Sequence, residues 1–87
     1  MGNLVAFDGI CLDCTDDGFG VLDTFDEYSG EYRIMLFPYN TDRCVISFAD
    51  NEDVQKAGFI NDAPDYHFEI DVLKSEAADI IRKAISK

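Results

Sequence analysis

Eighty-seven residues with 18 acids against seven Lys and Arg make one small domain, residues 1–87, with a net charge of −11. A hydrophobic fraction of 47% is too high for a disordered polyanion, and the longest aliphatic and aromatic run, Ile34 to Phe37, is far too short to span a bilayer. A surface this negative repels anionic lipid and nucleic acid, so the partners expected are basic proteins, with neither a membrane nor direct nucleic-acid contact.

Leu4 to Phe7 and Ile10 to Leu12 are short apolar runs on either side of Asp8-Gly9, a dipeptide suited to a type I′ hairpin turn or to a bulge in one longer strand. Asp13 to Gly20 is built from turn formers and reads as a polar loop. Val21 to Asp26 reads as a strand, Glu27-Tyr28-Ser29-Gly30 as a hairpin turn, and Glu31 to Phe37 as the partner strand, stopped by Pro38. After a turn at Asn40 to Asp42, Arg43 to Phe48 alternates with Cys44, Ile46 and Phe48 on one face. Asp50 to Lys56 reads as a short helix or acidic loop ended by Gly58, and Asn61 to Asp65 as a loop. Tyr66 to Val72 is the cleanest strand: Tyr66, Phe68, Ile70 and Val72 share one face, and His67, Glu69 and Asp71 share the other.

A helix closes the chain. Ser75 serves as its N-cap, Glu76 and Asp79 open it, and Arg82, Lys83 and Lys87 lie near its end, an order that complements the helix dipole. Ala77, Ile80, Ile81, Ala84 and Ile85 form one apolar stripe. The fold class is therefore α+β: a four- to five-stranded, mainly antiparallel sheet with one C-terminal helix packed on one face. The opposite sheet face is expected to be polar, acidic and solvated.

Three cysteines make no disulfide framework, which fits a reducing cytoplasm. No basic and then apolar leader opens the chain, so no signal peptide is expected. Cys11 and Cys14 form a C-x-x-C pair that Cys44 and His67 would complete as a zinc site, but no second pair follows and no Gly stands after Cys14. No metal or cofactor is expected; a small zinc-binding structural module stays as an alternative. Asp13-x-Thr15-x-Asp17-Gly18 resembles the opening of a calcium loop, yet Thr24 occupies the place of the closing Glu. His67 is the one histidine, set among Glu69 and Asp71, and no nucleophile elbow, phosphate loop or zinc-protease motif is present. The expectation is a protein without catalytic residues.

The acids are unevenly placed. Residues 1–32 contain eight of them and no Lys or Arg. Solubility is the plain explanation, but self-repulsion burdens a small core, and aromatics are interleaved with the charge in the manner of an interface. Asp16, Asp17, Asp23, Asp26, Glu27 and Glu31 are the candidate charges, with Tyr28 and Tyr32 as anchors. Glu69 and Asp71 add a row, continued by Asp65, whose spacing of about 6.6–6.8 Å along a strand approaches that of successive phosphates. In size and charge the chain resembles inhibitors of nucleic-acid-binding machines: phage anti-CRISPR and anti-restriction proteins, uracil-DNA glycosylase inhibitors, and immunity proteins of nuclease toxins. The likeness is one of composition and assigns no residue a role. It implies a small acidic, non-enzymatic inhibitor, a monomer or homodimer, that occupies the basic site of a nucleic-acid-binding protein or nucleoprotein complex as a nucleic-acid mimic. A phage anti-CRISPR or similar counter-defence protein is the leading instance, and an immunity protein against a basic nuclease toxin is the alternative.

Overall fold

Burial alternates along the central strands of the sheet, with Ile34 and Leu36 of one and Cys44, Ile46 and Phe48 of the next facing the core. In the computed structural model, which describes residues 4–62 and 67–86, β1 (Leu4–Phe7), β2 (Ile10–Cys14), β3 (Phe19–Val21), β6 (Ile34–Pro38), β7 (Arg43–Phe48) and β8 (Phe68–Leu73) form one six-stranded sheet in the order β1-β2-β3-β6-β7-β8. Every neighbouring pair is antiparallel. Six strands exceed the expected four to five. Asp8-Gly9 is a hairpin turn and not a bulge, so the two opening runs are separate strands, and β3 begins at Phe19, inside the expected loop. Both turn residues have positive φ (48° and 85°), the backbone that a two-residue hairpin with a right-handed twist demands.

The expected strand from Val21 to Asp26 does not exist as one piece. β3 ends at Val21, a 3-10 turn covers Leu22–Thr24, and only Phe25–Asp26 (β4) and Glu31–Tyr32 (β5) pair as the small hairpin. The turn between them does fall at Glu27 to Gly30, with Gly30 at φ 72° and its N–H donated to the Asp26 carbonyl at 2.7 Å. The hairpin is an excursion between β3 and β6, which pair with each other. Thr24 holds the base of this excursion. Its buried hydroxyl donates to the Val21 carbonyl at 2.7 Å and accepts the Ile34 N–H at 3.2 Å, while its carbonyl accepts the Arg33 N–H at 3.0 Å.

The helices α1 (Asn51–Lys56) and α2 (Lys74–Ile85) cover one sheet face. Ile10, Leu12, Val21, Ile34, Leu36, Cys44, Ile46, Phe48 and Val72 are buried there against Ala77, Ala78, Ile81 and Ala84 of α2 and Val54 and Ala57 of α1. Removing these apolar side chains from water is the main stabilising term, at roughly 25 cal/mol per Å². The small alanines let α2 lie close to the strands, and Ala78 joins the expected stripe.

Ser75 is not the N-cap. α2 begins directly from β8, with extended Leu73 in the cap position and no side-chain cap. The Asp42 carbonyl accepts the Lys74 N–H at 2.8 Å instead, which satisfies one donor of the first turn from the β6–β7 turn. α1 is capped by Asp50, whose side chain accepts the Glu52 N–H. The expected loop residues Ala63, Pro64 and Asp65, together with Tyr66, lie outside the described residues. No described helix is long and apolar enough to cross a membrane.

Candidate functional site

The face that the helices leave open carries the candidate site. Strand alternation and register place Asp13, Gly20, Met35, Ser47 and Glu69 in one row across β2, β3, β6, β7 and β8. The neighbouring row runs Phe37, Val45, Asp71. This face is therefore not uniformly polar: Met35, Phe37 and Val45 form a half-buried apolar strip with acids on either side. The strip follows from β6, which is apolar at every position, and from Val45 on the outward face of β7.

The small hairpin leans over this face. Gly20 supplies the space for it, because a Cβ there would sit 2.4 Å from the Tyr32 ring. A cross-strand aromatic lying over a strand glycine covers the backbone that the missing side chain exposes. Phe25 packs on the Tyr32 ring with centroids 4.8 Å apart, and the Tyr32 hydroxyl donates to Asp13. That hydrogen bond to a carboxylate, reinforced by desolvation, pushes the phenol up to about 12. Tyr32 is thus half-buried and anchored within the chain, a wall of the site more than a free contact. Tyr28, by contrast, stands fully exposed at the hairpin tip.

A groove of about 350 Å³ opens where the hairpin meets the sheet, lined by Thr15, Asp17, Gly30, Glu31, Tyr32, Met35, Ala49 and His67. Its residues come from the β2–β3 loop, the hairpin, β6 and the segments flanking β7 and β8. The β2–β3 loop is closed by Thr15, whose N–H and hydroxyl both donate to the Gly18 carbonyl at 2.8 and 3.1 Å. This turn accounts for the calcium-like Asp13 to Gly18 spacing.

The ion pairs divide the molecule in two. Arg33 directs its Nε to Asp53 on α1 at 3.4 Å; Lys56 pairs with Glu52, and Arg82 with Asp8 and Asp79. Arg43 pairs with Asp71 at 3.1 Å. Asp53 is the one deeply buried acid of these, and burial raises its carboxyl above the usual range against the opposing pull of Arg33. Among the described residues, no ion pair involves Asp13, Asp16, Asp17, Asp23, Asp26, Glu27, Glu31 or Glu69. Apart from Asp71, the acids of the open face and hairpin therefore have no counter-charge, while Glu52, Asp53 and Asp79 on the helices each have one.

Asp16, Asp17, Asp23, Asp26, Glu27, Glu31, Glu69 and Asp71 are all exposed. Two of them have internal work. Asp26 accepts the Tyr28 N–H at 2.9 Å, which shapes the hairpin turn. Asp71 accepts from the Tyr39 hydroxyl and from Arg43 Nε; the tyrosine bond first, and Arg43 with it, holds its carboxyl below the usual range. The Glu69–Asp71 row therefore presents one free charge and one neutralised charge, which weakens its match to a phosphate series.

The four thiol and imidazole groups of the possible zinc site do not converge. Cys44 is buried under the helices, where burial raises its thiol, whereas Cys11 is exposed on a strand whose neighbours Ile10 and Leu12 face the core. No group of three His, Cys, Asp or Glu among the described residues is arranged to hold a metal ion. His67 lines the groove instead. A second groove, of about 190 Å³, lies near β1 between Val5, Phe7, Leu12, Phe19, Leu36, Pro38 and Lys74, and carries no acid.

Met35, Ala49 and Thr15 escape a reading of the sequence because only the tertiary fold brings the β2–β3 loop, β6 and the end of β7 to one groove. Gly20 is the signal that was present: a glycine between apolar residues marks close approach of another group. No family model, curated protein or solved structure matches this chain.

Proposed function

We propose that this chain is a non-enzymatic inhibitor whose acidic open face and hairpin bind the basic site of a nucleic-acid-binding protein or nucleoprotein complex. A phage anti-CRISPR or similar counter-defence protein is the kind of protein this describes. The observation that carries the reading is the placement of free acids: Asp16, Asp17, Asp23, Glu27, Glu31 and Glu69, around the hairpin and the open face, make no ion pair among the described residues, while Arg33, Arg43, Lys56 and Arg82 are engaged with Asp53, with Asp71, with Glu52, and with Asp8 and Asp79. Arg33, the cation next in sequence to the hairpin, is committed to the buried Asp53 on α1 and so supplies no counter-charge to the hairpin acids. Unpaired charge of one sign on one face steers a partner of opposite sign, and a half-buried apolar strip supplies contact once water is expelled.

Competition tests the proposal. The chain, immobilised, captures basic proteins from a host lysate at about 50 mM salt, where screening is weak. The partner so isolated is then offered DNA and RNA. Nucleic acid is expected to displace the chain, and the chain to abolish nucleic-acid binding. A partner that holds both at once contradicts the proposal.

A further inference from the structure

We infer that the groove under the hairpin is a receptor for one arginine side chain presented by that basic partner. The inference rests on the function proposed above and names the contact at its centre. Two carboxylates, Asp17 and Glu31, stand on the groove from different segments, the β2–β3 loop and β5. Neither makes an ion pair or a side-chain hydrogen bond among the described residues. The rest of the lining is mixed: the Met35 thioether, the Ala49 methyl and the Tyr32 ring are apolar, and Thr15, Gly30 and His67 complete it.

That combination selects an amphipathic cation. A long basic side chain lays its aliphatic stem on apolar surface and keeps its charged head among acceptors. A guanidinium suits the two-sided arrangement better than an ammonium. Its planar fork directs several donors at once and bridges carboxylates that approach from different directions, whereas an ammonium is a compact and strongly hydrated point charge. The walls are also held in advance. Tyr32 is fixed by Asp13, Gly20 and Phe25, and the loop bearing Asp17 is closed by Thr15, so little ordering accompanies entry. The arriving charge would be the first cation to meet these carboxylates, since the nearest in sequence, Arg33, is engaged with Asp53.

Short oligoarginine and oligolysine peptides of equal length serve as probes, with binding followed by amide chemical shifts at low salt. The arginine peptide is expected to bind more tightly, with the largest shifts at Thr15, Asp17, Gly30, Glu31 and Ala49. The variant Asp17→Asn/Glu31→Gln is expected to weaken it about tenfold, the scale of two partly exposed ion pairs. The variant Asp42→Asn/Glu76→Gln removes the same charge from exposed sites outside the groove and is expected to weaken it less than about twofold, as screened distant charges do. Equal losses in the two variants, or equal affinity for the two peptides, overturn the arginine receptor and leave the electrostatic proposal standing. Absence of binding by either peptide to the unmodified chain overturns both.

Discussion

Thr24→Val is expected to lower the stability of the fold by about 2–6 kcal/mol, because it leaves a buried donor and a buried acceptor without partners at roughly 1–3 kcal/mol each. The two side chains have nearly the same shape, so packing changes little. The Ile34 N–H loses its acceptor at 3.2 Å and the Val21 carbonyl its donor at 2.7 Å, both among residues sealed from water. Thr24→Ser keeps the hydroxyl and is expected to cost only about 1 kcal/mol, the loss of one buried methyl. Urea denaturation of the two variants checks the difference. Equal losses in Val and Ser would show that the methyl and not the hydroxyl holds the base of the hairpin. The site depends on this residue as well, since the hairpin delivers Glu31 and Tyr32 to the groove.

Gly20→Ala is expected to be destabilising by about 1–3 kcal/mol, the usual range for overpacking, although alanine ordinarily favours a strand over glycine. The added Cβ would lie 2.4 Å from Tyr32 Cδ2 and 2.5 Å from Cγ. Those atoms are at the root of the ring, so the ring cannot swing clear while its hydroxyl stays on Asp13. The conflict resolves by lifting Tyr32 off the sheet. Its phenol then returns from about 12 toward the ordinary value near 10, visible as one tyrosine ionising earlier in an absorbance titration. The sign follows from the raised value: the hydrogen bond stabilises the fold fully below the unfolded pKa and is lost as pH climbs through the folded one. In a Tyr32→Ala background the same glycine substitution is expected to be neutral or mildly stabilising. A cost that persists there contradicts the packing described.

These two positions also explain which parts of the molecule could be read in its sequence. β7 and β8 were legible because their alternation is strict: Cys44, Ile46 and Phe48 point one way, and Glu69 and Asp71 the other, just as the pleat requires. α2 was legible from its 3.6-residue stripe, though not its start, because the first turn is supported by the Asp42 carbonyl, more than 30 residues away in the chain. The start of β3 was hidden because the strand is three residues long with Gly20 at its centre, and its stability comes from β2, β6 and the ring over Gly20. The break at Leu22–Thr24 was hidden for a similar reason, since a hydroxyl reaching Ile34 leaves no local mark.

The candidate site divides in the same way. Asp16, Asp17, Asp23, Asp26, Glu27 and Glu31 could be named from charge alone, and all are exposed. The assignment of cations could not. Arg33 reaches Asp53 across 20 positions and Arg43 reaches Asp71 across 28, and those pairings decide which acids remain free. Composition tells how much charge there is; tertiary pairing tells where it is uncompensated.

The central claim is that the free acids of the open face and hairpin do the recognising, and that net charge alone does not. Two variants of equal charge test it most directly. One carries Asp23→Asn, Glu27→Gln and Glu31→Gln on the hairpin side; the other carries Asp42→Asn, Asp62→Asn and Glu76→Gln on exposed sites elsewhere. The association rate of each with the isolated basic partner is measured by stopped flow at about 50 and 200 mM salt, across which screening tightens. The hairpin variant is expected to associate about tenfold more slowly than the unmodified chain at low salt and to lose most of its salt dependence, while the other behaves nearly as the unmodified chain does. Equal slowing of the two variants, or rates that do not change with salt, would contradict the account.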